Sequence, residues 1–231
     1  MPLEIMKILE DIYQITLRGV NIFVITEEEL TLIDAGFRGS LPGINRYLKK
    51  LGRSVDEISL IIATHNHLDH IGGMPEIRGA SGAKVAVYTT DLGKTLDELP
   101  YHGIVRKALK VPLVRLLKPL VFARPGDVDF KLMGGEALKQ LGGLEVIHTP
   151  GHTPGSISLY SKKHKILFVG DAINNRFIKM RYPSKAVSTD LNEAVNSVRK
   201  LAELDFENIC FGHGKPVIGD TRRRLRKELG L

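Results

Sequence analysis

Three histidines and an aspartate fall within six residues in Thr64-His65-Asn66-His67-Leu68-Asp69-His70. Imidazole nitrogens and carboxylate oxygens at that spacing form a donor set for a divalent cation. Core packing has no use for such a run, because clustered imidazoles are poor filler and repel one another when charged. A cation reverses the balance: it holds each ring neutral and makes the crowding favourable. The run follows the apolar stretch Ile58–Ala63 and precedes Ile71-Gly72-Gly73. It therefore reads as a loop at the end of a buried strand, where functional side chains concentrate.

Further histidines and carboxylates recur at other strand ends. His152 lies in Thr149-Pro150-Gly151-His152-Thr153-Pro154-Gly155-Ser156, whose prolines and glycines fix a rigid turn around one imidazole. Asp171 follows the strand Ile166–Val169 through Gly170, and His213 follows Ile209–Phe211 inside Gly212-His213-Gly214. Asp34 ends the strand Leu30–Ile33 and precedes Gly36. Singly, each is an ordinary turn residue. Together with the run they make five histidines and three aspartates at five strand ends, and the repetition carries the inference. Of the other histidines, His148 reads as a structural partner near the site and His164 as part of an exposed hairpin turn. His102, beside Tyr101, is a lesser candidate to face substrate.

The elements that must position these groups are mostly strands. Short β-branched runs predict strands at Ile12–Leu17, Asn21–Thr26, Leu30–Ile33, Ile58–Ala63 and Lys84–Tyr88. The pattern continues through Leu144–His148, Ser156–Tyr160, Lys165–Val169 and Glu207–Phe211. Helical spacing appears in Ser40–Leu51, Leu191–Leu204 and the basic Thr221–Leu229. Strands dominate both halves with helices between them, so the fold class is mixed α/β (α+β) with two sheets. Leu99–Pro125 departs from this pattern as one or two basic amphipathic helices broken near Pro112. It reads as an insertion that covers the cleft and lines an apolar acyl pocket; a homodimer interface and an interfacial membrane contact are the other readings.

These motifs resemble those of the metallo-β-lactamase-fold hydrolase superfamily, including its glyoxalase II-like thioesterases and lactonases. The likeness runs from Ile12 to Pro216, with all five motifs in order. It implies one domain over 1–231 built as a four-layer αββα sandwich, with a metal site at one rim of the sheets. It also implies that His65, His67 and His152 bind one metal, that Asp69, His70 and His213 bind a second, and that Asp171 bridges them. Asp34 takes the orienting, hydrogen-bonding role, and Asp69 or Asp171 a transient proton. Each ion then has three private ligands, a shared carboxylate and an open position for water, the plan of a catalytic site. The donors are nitrogen and oxygen, which suits zinc first and iron or manganese next. Two such ions about 3.5–4 Å apart bring the pKa of water to about 7 and polarise a carbonyl or phosphoryl oxygen.

Within the superfamily, departures narrow the substrate. The chain ends soon after His213, where glyoxalase II proteins carry a helical domain, and it lacks room for the inserted domain of the long nucleases. Leu99–Pro125 is too apolar for the arm of the tRNA-processing members. Lactonases often place a tyrosine soon after the bridging aspartate, and Tyr182, eleven residues beyond Asp171, is the nearest candidate. The favoured reaction is hydrolysis of a small ester-like carboxyl derivative, a thioester or lactone. The alternatives are an iron-dependent sulfur dioxygenase, an RNA-processing phosphodiesterase and a metal-binding module without catalysis.

Composition sets the outer limits. The 231 residues are 43% apolar, enough for a substantial core, and the single Cys210 excludes an internal disulfide and reads as a small core residue. Met1–Ile12 carries Glu4, Glu10 and Asp11 and is no signal peptide, and no uncharged apolar run of about 18 residues spans a membrane. A cytoplasmic protein acting on a small molecule is the expectation. The net charge of +7 admits nucleic acid or acidic ligands but needs neither, and Arg222-Arg223-Arg224-Leu225-Arg226-Lys227 reads as a capping helix with a solvated face.

Overall fold

The computed structural model describes residues 5–92, 128–177 and 179–231, and thirteen strands among them sort into two sheets. The first sheet runs in chain order: β1 (Ile5–Leu9), β2 (Ile12–Leu17), β3 (Val20–Thr26), β4 (Leu30–Ile33), β5 (Ile58–Ile62), β6 (Lys84–Tyr88) and β7 (Phe130–Leu132). Pairing is antiparallel from β1 to β4 and parallel from β4 to β7. The second sheet comprises β8 (Ala137–Leu138), β9 (Leu144–His148), β10 (Ile157–Ser161), β11 (Ile166–Phe168), β12 (Asn208–Cys210) and β13 (Val217–Ile218), in spatial order β13-β12-β11-β10-β9-β8. Only its β11–β12 pair is parallel.

The layering follows from where the apolar side chains go. In β3, Ile22 and Val24 pack toward the helices α1 (Leu41–Lys50) and α3 (Met74–Ser81), meeting Ile44, Tyr47, Leu48, Met74 and Ile77. The alternate residues Phe23 and Ile25 pack toward the other sheet, against Leu159, Ile166 and Phe168. The second sheet repeats this division. Leu167 and Ile209 pack outward with Val198 and Leu201 of α4 (Leu191–Ala202) and Leu225 of α5 (Thr221–Leu229), whereas Phe168 and Cys210 pack inward. Strands apolar on both faces demand cover on both faces. The three apolar clusters therefore separate four layers, helix, sheet, sheet and helix, which is the αββα sandwich the resemblance implies.

Several boundaries differ from the sequence expectation by one or two residues, and some elements lie outside it. α3 is capped by Gly73, has Pro75 in its first turn and carries Gly79 inside, so its apolar periodicity is weak. α2 (Leu68–Ile71) is a single turn within the histidine run. The strands β1, β7, β8 and β13 are edge strands, and β7, β8 and β13 are too short to announce themselves. Leu99–Pro125, with His102, lies outside the described residues. Among those that are described, no helix is long and apolar enough to cross a membrane. Cys210 sits in the inter-sheet core, where burial pushes its thiol pKa up. His164 occupies the β10–β11 turn but is half-buried rather than exposed.

Phe168 and Phe23 meet edge-to-face across the two sheets, with ring centroids 5.1 Å apart, and both are buried. Phe168→Ala is expected to cost about 3–5 kcal/mol of unfolding free energy through lost burial and a residual cavity. Urea denaturation followed by circular dichroism measures it, and a loss under about 1 kcal/mol would refute this packing.

Candidate metal centre

Asp34 organises the site from below. It leaves β4 with φ +63°, a left-handed conformation that costs an aspartate about 1–3 kcal/mol unless its surroundings fix it. They do: its buried carboxylate accepts hydrogen bonds from Thr64 N (2.8 Å), Thr64 Oγ1 (2.9 Å) and His70 Nδ1 (2.7 Å). One carboxylate thus ties the end of β5 to the first turn after it.

The remaining imidazoles are turned in the same manner, by a partner behind each ring. Thr64 Oγ1 spends its hydrogen on Asp34 and so accepts from His65 Nδ1–H at 3.1 Å. Ser188 Oγ donates to Ser184 O and receives His152 Nδ1–H at 3.4 Å. His213 Nδ1–H donates to Gly19 O at 2.7 Å. With Nδ1–H so occupied, the neutral ring carries its lone pair on Nε2 in His65, His70, His152 and His213. His67 differs, with its Nδ1 3.0 Å from His152 Nε2.

The inward-facing atoms converge. His65, His67 and His152 offer ligand atoms within 4.8 Å of one another, as do His65, His70 and Asp171, and Asp69, His70 and His213. The first and last groups have the same members as the two ligand sets the resemblance implies. Asp171 lies between them, with Oδ1 3.7 Å from His70 Nε2 and Oδ2 3.6 Å from His152 Nε2 and 3.4 Å from His213 Nε2. Asp69 Oδ2 is 3.2 Å from His213 Nε2. Such proximity needs glycine. A methyl group on Gly212 would fall 2.3 Å from Asp171 Oδ1 and 2.7 Å from His70 Cε1.

Electrostatics keep His65, His67 and His152 neutral and treat His70 differently. Burial, reinforced by neighbouring imidazoles, holds His65 and His152 well below the usual histidine pKa. Burial also lowers His67, to about 4, against the opposing pull of Asp171 and Asp69. For His70 the burial effect is outweighed by Asp34, Asp171 and Asp69, which raise it to about 9. Burial pushes Asp69 up, yet the adjoining imidazoles of His213 and His70 keep it below the ordinary carboxylate range. His65 Nε2 and His70 Nε2 are buried without a hydrogen-bond partner. A buried nitrogen left in that condition costs about 1–3 kcal/mol, which ligation of a cation removes. The donor set and its orphaned atoms fit divalent metal.

Residues 15–213 match the family model described as the metallo-beta-lactamase superfamily. The chain belongs to that superfamily. It is 28% identical to the probable metallo-hydrolase YflN of Bacillus subtilis (strain 168), over 94% of this chain and 89% of that protein. It is 29% identical to a hydroxyacylglutathione hydrolase of Cereibacter sphaeroides, over 75% of this chain and 55% of that one. Among solved structures, the metallo-beta-lactamase family protein TTHA1429 from Thermus thermophilus superposes with a TM-score of 0.69 at 24% identity, covering 96% of this chain and 79% of the other.

In this member of the superfamily, Tyr182 does not supply a tyrosine to the centre. It packs in the outer core of the second sheet and its hydroxyl donates to Leu229 O at the end of α5. His148 stacks on Tyr88 at 4.3 Å between ring centroids and donates from Nε2 to Pro154 O at 2.8 Å, so it braces the turn around His152. Sequence reasoning missed two polar anchors. Asn21, buried in β3, donates from Nδ2 to Phe211 O (2.8 Å) and Gly214 O (2.7 Å) and holds the His213 loop. Asp91 joins the loops of Asn66 and Thr153. A polar residue in an apolar strand and a carboxylate just past β6 were the available signals.

Gly212→Ala is expected to displace Asp171 and weaken divalent-metal binding by about tenfold or more, with the far-UV circular dichroism unchanged. Metal content after dialysis against a weak chelator checks it. Undiminished content would mean that the approach of Asp171 to the rings does not matter.

Proposed function

We propose that this chain is a metal-dependent hydrolase of a small ester-like carboxyl derivative, a thioester or lactone. The observation that carries the reading is the convergence of five imidazoles and two carboxylates into overlapping groups of ligand atoms. His65, His67 and His152 would hold one divalent cation, and Asp69, His70 and His213 a second, with Asp171 shared. Zinc suits these nitrogen and oxygen donors first, then iron or manganese. When bound, such a pair supplies hydroxide at neutral pH and polarises the oxygen of the scissile group.

The protein's own residues supply orientation and proton handling. Asp34, with its side chain about 1% exposed, positions His70 and Thr64 and reaches no substrate. Asp69 and Asp171, with side chains 25% and 16% exposed, are the carboxylates at the solvent boundary of the cluster. Asp69 or Asp171 would accept a proton transiently and pass it to the leaving group. No serine or cysteine nucleophile is called upon, and Cys210 is buried between the sheets.

The thioester branch of the reading is supported by the likeness to a hydroxyacylglutathione hydrolase. A nucleic-acid substrate is less well supported, because the arginines of α5 are engaged within the fold. Arg226 pairs with Glu203 (2.9 Å), Arg224 with Glu228 (2.7 Å), Arg223 with Asp220 (2.9 Å), and Arg222 donates to Ala202 O (3.0 Å). Arg222 and Arg226 tie this helix to the end of α4, and Arg223 and Arg224 pair with carboxylates of its own cap and last turn.

Purified protein should contain close to two divalent ions per chain and turn over a thioester or lactone in a panel that also holds β-lactams and phosphodiesters. His67→Ala should lose metal and reduce turnover to background while the melting transition persists. Oxygen uptake with a persulfide in place of ester hydrolysis, or full activity in His67→Ala, would overturn the proposal.

A further inference from the structure

Asp91 lies just beyond β6, and its buried carboxylate belongs to none of the candidate ligand groups found among the described residues. What it holds is specific. Its Oδ2 accepts from Asn66 N (3.1 Å) and Thr153 Oγ1 (2.8 Å), and its Oδ1 accepts from Gly155 N (2.7 Å). In return Asn66 Nδ2 donates to Asp91 O at 2.8 Å, so Asn66 is gripped through both its backbone and its side chain.

The positions of these contacts select one half of the centre. Asn66 sits between His65 and His67, and Thr153 follows His152 directly. Asp91 therefore clamps the immediate neighbours of His65, His67 and His152, which form one of the candidate ligand groups. None of these four hydrogen bonds falls on a chain neighbour of His70, Asp171 or His213. The turn is shaped to admit the carboxylate: a methyl group on Gly155 would stand 2.4 Å from Asp91 Cγ and 2.5 Å from Oδ1. Gly155, the last glycine of the Thr-Pro-Gly-His-Thr-Pro-Gly turn, is thus required by that approach.

We infer that Asp91 is a positioning residue that fixes the separation of the His65–His67 loop and the His152 turn, and so sets the affinity of the first metal position without touching metal or substrate. The inference rests on the dinuclear reading above. An asparagine in its place keeps the shape but presents an amide N–H₂ where one side needs an acceptor, leaving at least one buried donor unmatched.

The test uses Asp91→Asn and Thr153→Val, each titrated with cobalt(II) against wild type while ligand-field absorption reports each position, together with amide hydrogen exchange on chelator-treated protein. In Asp91→Asn the affinity of one position should fall about tenfold or more while the other stays within about twofold of wild type, and the Asn66 and Gly155 amides should exchange faster. Thr153→Val should shift the same position by a smaller factor. Unchanged affinity at both positions, or equal weakening of both, would overturn the assignment. Faster exchange at Asn66 and Gly155 in protein that binds no cobalt at all would uphold the clamp and refute the dinuclear reading, so the two failures are distinguishable.

Discussion

The centre is governed by the repulsion that crowded imidazoles exert on one another. The ring of His65 lies 4.1 Å from that of His70, 4.7 Å from His67 and 4.8 Å from His152, centroid to centroid. Two protonated rings about 4 Å apart repel by about 4 kcal/mol at an effective dielectric constant of 20. Burial removes the water that would screen them. The cluster meets this constraint by keeping His65, His67 and His152 neutral and by surrounding His70, whose pKa is raised, with Asp34, Asp69 and Asp171. Neutral rings with inward lone pairs still face one another unfavourably, and a positive charge placed among them turns that cost into binding energy.

That requirement accounts for much of the architecture around the rim. A lone pair points inward only if the opposite nitrogen has somewhere to donate, so each of four rings draws a partner from behind: Thr64, Asp34, Ser188 and Gly19. Asn21 shows how far the support extends. It is oriented by Gln14 (2.9 Å) and Thr16 (2.8 Å), polar residues of β2 that a strand packed for stability alone would replace with apolar ones. The glycines answer the complementary demand for space. Gly170 is left-handed, and a methyl there would lie 2.8 Å from Thr64; a methyl on Gly151 would meet Ala194 N at 2.2 Å, so glycine there allows α4 to start against the His152 turn. The two sheets supply stiffness, the glycines supply approach, and the carboxylates and hydroxyls supply aim.

How much of this was legible in the sequence depended on the range of the information. Strands such as Ile12–Leu17 and Leu144–His148 were readable because their β-branched runs are local and long enough to stand out. The residues that converge were visible because strand ends repeat the same donor types, and the resemblance gave their grouping. β1 and β13 were not readable: their pairing is decided by neighbouring strands rather than by their own residues. Helix α3 was hidden by Pro75 and Gly79 within it and by Gly73 at its cap, which exists for another purpose, since a methyl on Gly73 would lie 2.2 Å from Ala35 O. Tyr182 misled because its distance in sequence from Asp171 carries no direction, and the chain between them turns it toward α5. Asp91 escaped notice although it stands at a strand end like Asp34, because nothing local shows that a carboxylate faces two loops 25 and 62 residues away.

The same division explains where motif-based inference of function stops. Every imidazole of the centre has one nitrogen engaged behind it or against a fellow ring, and His65 and His70 are almost wholly buried. Residues so committed to orienting one another have no surface left with which to tell one substrate from another. Among the candidate ligands only His67, Asp69 and Asp171 reach toward solvent, and an imidazole or a carboxylate distinguishes charge and proton demand rather than the shape of an acyl or leaving group. Selectivity therefore belongs to side chains outside the ligand motifs, on segments free to vary without disturbing the rings. A chain can keep every motif intact, and with it the capacity for hydrolysis, while its substrate is determined by residues that the motifs do not constrain.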